Sequence, residues 1–253
     1  MTSDSNERSQ PPQRLPHAVL DRATRIQKAQ KIIALVGEDR FRKARRILEI
    51  GCGSGVIAST LAMLGANDLE VHAVDVVDSR IETKGFTFNL VNGTALPYGD
   101  AHFDIVISNH VIEHVGTDRD QINHLREIRR VLAIQGVVYL AVPNKWRLVE
   151  PHYRLPLLSW VPHPISDHYV RLMRRGKHYD CEPLGFAQAF TLFSAAGFVA
   201  CDQTIRALRE TLSIEFADNP LARAFNRLVP DWAPRIAMGI MPTYVFLLRT
   251  ESE

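Results

Sequence analysis

Cysteine is scarce: Cys52, Cys181 and Cys201 lie far apart without a CxxC pair, a pattern that signals neither a disulfide framework nor a zinc cluster. It suits a reducing compartment. Charge of one sign is also lacking, because 30 Lys and Arg against 28 Asp and Glu leave a formal net charge of +2. A protein that neutralises phosphate backbone carries a larger basic excess, so no nucleic-acid partner is expected. No apolar run approaches the roughly 18–20 residues a membrane span requires. The longest candidate, Ile236 to Leu248, is interrupted by Pro242 and Thr243. Residues 1–16 lack the apolar centre of a secretory signal and are predicted to be a polar, disordered leader. Cytoplasmic residence is the expectation that follows.

What is present is an ordinary globular balance, 253 residues with 46% hydrophobic and 23% charged, which predicts one domain over residues 17–253. Ala18 to Gly37 has a mostly helical apolar period with Gly37 as its stop, and the basic run Arg40 to Arg46 reads as solvated charge leading into a strand. Short β-rich runs follow at Ile47–Ile50, Leu69–Asp75, Phe86–Val91, Phe103–Ser108, Gly136–Val142, Phe198–Thr204 and Thr243–Arg249. Helical patterns separate several of them: a stretch ending at Leu64, Asp118–Leu132, and Glu182–Ala196 closed by Gly197. Alternation of this kind predicts an α/β fold, a doubly wound, mostly parallel seven-stranded sheet covered on both faces. Residues 144–180 break the rhythm with Pro, His and aromatic residues and are expected to form a lid inserted after the fifth strand. Arg206 to Gly239 reads as irregular or helical.

The sharpest local signal is Glu49-Ile-Gly51-Cys-Gly53-Ser-Gly55, where a strand hands over to a helix. Glycines there let the backbone turn tightly and approach a ligand, and the next helix offers free N–H groups. The dinucleotide loop GxGxxG is a rival, but Val56 stands where its last glycine belongs. Asp75 ends the second strand twenty residues past Gly55, where a carboxylate can accept from both ribose hydroxyls of an adenosine. Asp78 is a weaker alternative, better read as a helix N-cap.

Together with the later Phe103-Asp-Ile-Val-Ile-Ser108, these features resemble the class I S-adenosylmethionine-dependent methyltransferases, from about Ile47 to Val142. The resemblance implies a Rossmann-like methyltransferase fold and S-adenosylmethionine as cofactor. It places Glu49 near the methionine end, Gly51, Gly53 and Gly55 under the cofactor, and Asp75 on the ribose. Val91 to Tyr98 looks like the family's segment after the third strand, with Asn92 where an Asp is usual, followed by Gly93. An Asn carbonyl can still accept from an adenine amino group. Asn109, at the end of the fourth strand, completes the expected cofactor set.

Ser108, Asn109 and His110 sit at the strand end that forms the ligand crevice of an open α/β sheet. Methyl transfer needs acceptor, methyl and sulfur aligned, and a histidine can take the acceptor's proton. His110 and His114 are therefore the candidate catalytic residues, with a purely structural His110 equally open. A second reading makes His110, Glu113 and His114, with His178, ligands to a divalent metal. It resembles the Glu-x-x-Glu-His of magnesium-binding ubiquinone-pathway O-methyltransferases. His110 replaces a Glu in that pattern, and Glu-His also occurs in relatives that use no metal, so the preferred reading is metal-free.

The lid carries Trp146, Trp160, His152, His163, His168 and His178, with Leu155, Leu157, Leu158 and Trp160 expected to anchor it on the core. Arg171, Arg174, Arg175 and Lys177 could hold an anionic group on the acceptor or an anionic lipid surface, or remain solvated. Leu221 to Met241 mixes apolar residues with Arg, compatible with a pocket wall or a peripheral membrane contact, but its prolines argue against one continuous helix. The position after the fourth strand reads Ser108-Asn-His-Val111 rather than Asn/Asp-Pro-Pro-Tyr, which argues against nitrogen on a nucleobase. The expected reaction is methyl transfer to a hydroxyl of a small or lipid-linked acceptor. The alternatives are carbon methylation of a quinone or isoprenoid ring, and a non-catalytic cofactor-binding subunit.

Overall fold

The computed structural model describes residues 21–250; the expected leader and the first residues of the expected N-terminal helix lie outside them. The chain opens with α1 (Arg22–Val36), capped by the Asp21 carboxylate accepting from the Thr24 N–H and stopped at Gly37, whose φ of 101° and N–H bond to the Ile33 carbonyl end the helix. The basic run beyond it is not merely a lead-in. Glu38–Lys43 forms a short helix, α2, with two acidic residues in its first turn, three basic ones in its last, and Phe41 buried. The charge order suits the helix dipole, and Phe41 supplies the anchor.

Seven strands follow: β1 (Arg46–Ile50), β2 (Glu70–Asp75), β3 (Thr87–Leu90), β4 (Phe103–Asn109), β5 (Leu132–Pro143), β6 (Phe198–Asp202) and β7 (Thr243–Thr250). They form one sheet in the order β3-β2-β1-β4-β5-β7-β6, with β7 antiparallel to both its neighbours and the remaining pairs parallel. Strand order reverses between β1 and β4, so the carboxyl ends of these two strands flank a crevice. β5 starts earlier than the sequence pattern suggests, because Leu132 pairs with Phe103 before the register shifts and Val137 pairs with Ile105.

Consecutive residues of the central strands point to opposite layers. Ile47, Ile105, Ile107 and Tyr139 pack with α1 and with α3 (Val56–Leu64), while Leu48, Val106, Val138 and Leu140 pack with α4 (Asp118–Val131) and, later, with α6 (Phe186–Ala195). Both faces are therefore apolar, as a parallel sheet between helices requires. No helix follows β2: the connection from Val76 to Phe86 is irregular, and Asp78 caps nothing but forks onto Arg80 with two 2.8 Å bonds.

The segment after β5 holds a helix, α5 (His163–Leu172), with a proline in its first turn. Leu155 and Leu158 are buried, but in a small cluster of the segment's own with Tyr153, Val170, Tyr179 and Cys181; Leu157 and Trp160 remain largely exposed. The stretch before β7 resolves into α7 (Thr204–Ile214), α8 (Pro220–Leu228) and α9 (Trp232–Arg235). Among the described residues, no helix is long and apolar enough to cross a membrane.

Candidate active site

Gly51, Gly53 and Gly55 have φ of 70°, 51° and 75°, all left-handed, and they turn the chain from β1 into α3. Two of them are also fixed by close approach. A β-carbon on Gly51 would lie 2.5 Å from Val111 Cγ2, and one on Gly55 would lie 2.3 Å from the Glu82 carbonyl oxygen. The second contact arises because the irregular segment after β2 folds over the turn, Ile81 and Glu82 donating N–H bonds to the Ser54 carbonyl. Glycine is thus required on packing grounds even before a ligand is considered.

Asp75 stands at the same strand end. Its Oδ2 accepts from the Gly53 N–H at 2.8 Å and its Oδ1 from the Val76 N–H at 2.8 Å, so backbone donors orient the carboxylate. The Asp75 carbonyl accepts from Val91, which brings Asn92 and Gly93 alongside. The loop beyond them is pinned by α4, where Arg130 donates to the Leu96 and Tyr98 carbonyls and Glu127 accepts from the Leu96 N–H. A β-carbon on Gly93 would meet open space.

Glu49 is 2% exposed, and its Oε2 has no hydrogen-bond partner. Burial drives its carboxyl up to about 8, against the opposing pull of Arg25. A buried carboxyl with a spare oxygen beside a glycine turn fits a cationic ligand, since a positive charge there would recover the cost of ionising it.

At the end of β4, Ser108 Oγ and Asn109 Oδ1 are buried without partners. His110 adopts φ of 60°, an uncommon conformation for a residue with a β-carbon, held by its N–H bond of 2.9 Å to the Ala141 carbonyl. The 3-10 turn Ile112–His114 follows at once. It sets His110 Nδ1 3.5 Å and His114 Nε2 4.0 Å from the same oxygen of Glu113, a side chain 1% exposed. Both Glu113 oxygens lack hydrogen-bond partners. His178 stands apart from this turn, exposed on the segment after β5 with its Nδ1 3.6 Å from Asp167. The residues that do join His114 are His152 and Cys181.

Sequence reasoning missed the residues that fasten the segment after β5. Asn144, buried, donates from Nδ2 to the Gly239 and Met241 carbonyls, tying the segment's start to the approach to β7. At its far end the Glu182 N–H donates to the Glu113 carbonyl at 2.6 Å, and Gln121 Nε2 bridges the Ile112 and Glu182 carbonyls. An Asn placed directly after a buried strand was the one available sign. A narrow pocket opens between the turn and this segment, lined by Glu113, Asn144, His152, Tyr179 and Cys181 among others.

A sheet of this order, with an acidic β1 end, a glycine turn and an acidic β2 end, defines a class I methyltransferase fold. Residues 48–140 match the methyltransferase domain family. The ubiquinone biosynthesis O-methyltransferase of Rickettsia akari (strain Hartford) is 30% identical over 158 residues, covering 56% of this chain and 58% of that protein. Its counterpart in Azorhizobium caulinodans is 27% identical over 162 residues, covering 62% and 59%. This chain therefore spans less than two thirds of the length of the curated relatives it matches. The structure of an S-adenosylmethionine-dependent methyltransferase from Mesorhizobium loti aligns with a TM-score of 0.57 at 14% identity, over 88% of this chain and 97% of that one. That of the [4+2]-cyclase SpnF aligns at 0.54 and 18%, over 90% and 82%. At these identities the structural likeness speaks for the fold alone. Residues 48–140 therefore carry a methyltransferase-domain match inside a sheet of the class I S-adenosylmethionine-dependent methyltransferase type.

Proposed function

We propose that this protein transfers a methyl group from S-adenosylmethionine to a hydroxyl of a small or lipid-linked acceptor. The observation that carries the cofactor half is Glu49, a fully buried carboxyl with an unused oxygen at a glycine turn. In this reading Glu49 faces the cofactor's positive end, Gly51, Gly53 and Gly55 lie under it, Asp75 takes the ribose, and Asn92 with Gly93 borders the adenine. Asn109 offers its unpartnered oxygen from β4. When bound, the cofactor supplies a methyl group on a positively charged sulfur, open to in-line displacement.

His110 and Glu113 favour a hydroxyl acceptor. The Glu113 carboxylate lies 3.5 Å from His110 Nδ1, and in this reading its charge orients the ring so that Nε2 takes the acceptor's proton while the acceptor oxygen bonds to the methyl carbon. The electron pair of the breaking carbon–sulfur bond stays on sulfur. The role of the relatives, O-methylation in ubiquinone biosynthesis, supports the same acceptor atom.

The acceptor is read as carrying an apolar part because of the surface beside the pocket. A second groove runs along Leu148, Val149 and Pro151 to Ile240 and Pro242, with Arg147, Glu150 and Arg154 also lining it. In the sequence leading to Ile240, Leu221, Leu228, Trp232 and Ile236 are each at least 66% exposed, interspersed with Arg223, Arg227 and Arg235. Such a surface suits shallow contact with a membrane from which a lipid-linked acceptor could be drawn. Residues 144–180 then act as the lid that shapes the acceptor pocket.

The test is incubation with labelled S-adenosylmethionine and host extract, followed by mass spectrometry of labelled products. A labelled methyl ether is the expected result. A methyl group on carbon would refute the hydroxyl assignment. No product, together with no calorimetric heat on adding S-adenosylmethionine or S-adenosylhomocysteine, would refute the whole reading.

A further inference from the structure

His114, His152 and Cys181 come from three places in the chain: the 3-10 turn after β4, the start of the lid, and the lid's exit. Their candidate ligand atoms nevertheless all lie within 4.8 Å of one another. Cys181 Sγ is 3.6 Å from His114 Nδ1, and the His114 and His152 rings meet edge to face with centroids 5.3 Å apart. Zinc–sulfur and zinc–nitrogen bonds of about 2.3 and 2.0–2.1 Å at a tetrahedral angle put sulfur and nitrogen about 3.5 Å apart. The His114–Cys181 pair has that spacing already.

Glu113 is the second, independent observation. It is 1% exposed with both oxygens unpartnered, and it sits 4.0 Å from His114 Nε2, the nitrogen turned away from Cys181. A carboxylate behind the far nitrogen of a ligating histidine fixes the tautomer and raises the ligand's basicity. The cluster is also held in place. The Glu182 N–H bond to the Glu113 carbonyl locks the residue after Cys181 onto the turn that carries His114. On the lid side, Glu150 accepts from the Tyr153 N–H at 2.6 Å, and the Tyr153 hydroxyl donates to Asp180 at 2.8 Å. The loop bearing His152 is thereby joined to the residue before Cys181.

We propose that His114, His152 and Cys181 bind one zinc-class divalent cation, with Glu113 supporting His114 and a fourth coordination position open to the pocket that Glu113, His152 and Cys181 line. Two imidazoles and a thiolate select a borderline-soft metal, unlike the oxygen-rich set that magnesium requires. Three protein ligands with one open position is the arrangement of reactive rather than structural zinc sites. On binding, the Cys181 thiol passes its proton to solvent and the thiolate joins the metal. The site is independent of His178.

The test uses the full chain stripped with a chelator and titrated with Co²⁺ in the absence of cofactor. One equivalent should bind, with a tetrahedral cobalt spectrum and a sulfur-to-cobalt charge-transfer band, and Zn²⁺ but not Mg²⁺ should displace it. Cys181→Ser should abolish the charge-transfer band, His152→Ala should weaken binding at least tenfold, and Glu113→Gln should weaken it about 10–100-fold. Cys201→Ser, at an exposed thiol elsewhere, should change nothing. Should Cys181→Ser not fold, wild-type protein decides: Zn²⁺ should protect Cys181, and not Cys201, from alkylation. Failure to bind one equivalent, a spectrum unchanged in Cys181→Ser, displacement by Mg²⁺, or equal alkylation with and without Zn²⁺ would each overturn the proposal.

Discussion

In the proposed reading the buried Glu49 carboxyl couples cofactor binding to the release of a proton. Its value of about 8 means that at pH 7 only about one molecule in ten carries the charge in the ligand-free protein. S-adenosylmethionine brings a positive sulfur and an ammonium group, and a positive ligand beside Glu49 drives the carboxyl to ionise. Binding at pH 7 should then release close to one proton and strengthen as pH rises toward the carboxyl's value of about 8. Calorimetry in buffers of different ionisation enthalpy measures the proton count directly. Glu49→Gln should bind more weakly and lose the pH dependence. The same variant should be more stable without ligand. A carboxyl whose folded value lies above its unfolded one contributes stability below about pH 4.5 and loses it as pH rises through about 8. The melting temperature of Glu49→Gln should therefore exceed that of the parent by a margin that widens across that window. Buffer-independent binding heats, with an identical affinity profile in the Gln variant, would refute the reasoning.

His110→Ala should lower turnover by about 100-fold or more while leaving cofactor affinity within about twofold, because its imidazole is assigned to the acceptor's proton rather than to the cofactor. Unchanged turnover would remove it as the base. His124, fully buried on α4 with neither ring nitrogen bonded, is held down to about 4 by burial. A histidine neutral in the fold but protonated when unfolded costs stability as pH falls from about 6.5 to about 4, on the order of 3 kcal/mol over that range. His124→Leu should therefore flatten the acid limb of the stability curve; an unaltered acid midpoint would show that His124 is not its source.

What could be read from the sequence depended on whether one signal sat in one stretch. The strands near Ile47, Glu70 and Phe103 were legible because both faces of a buried parallel strand demand apolar residues, and the glycine turn because Gly51 and Gly55 leave no space for a β-carbon. Elements decided by distant partners were not. α2 exists because Phe41 found the core, and the early start of β5 because Leu132 found Phe103. The expected cap at Asp78 failed because Arg80, two residues on, is a stronger local partner than a helix N-terminus that never forms.

The candidate site divides along the same line. Glu49 is the next-to-last residue of β1, Asp75 and Asn109 end β2 and β4, and His110 follows β4 directly, so a sheet of this order brings them to one edge whatever the loops do. The residues of the segment after β5 reach that edge by a different route: Asn144 and Glu182 pin its two ends, and only then do His152 and Cys181 meet His114. No spacing rule joins positions 114, 152 and 181, because the loop lengths between them are set by that segment's own small core around Tyr153, Leu158 and Val170. The strained backbone of His110 belongs to this second system. Its left-handed turn ends β4 abruptly and swings Glu113 inward, placing one buried carboxyl between two histidines. A straighter exit from β4 would leave His110 near the crevice but remove Glu113 from both. The strain at that one residue is thus the link between the proposed base and the proposed metal ligands.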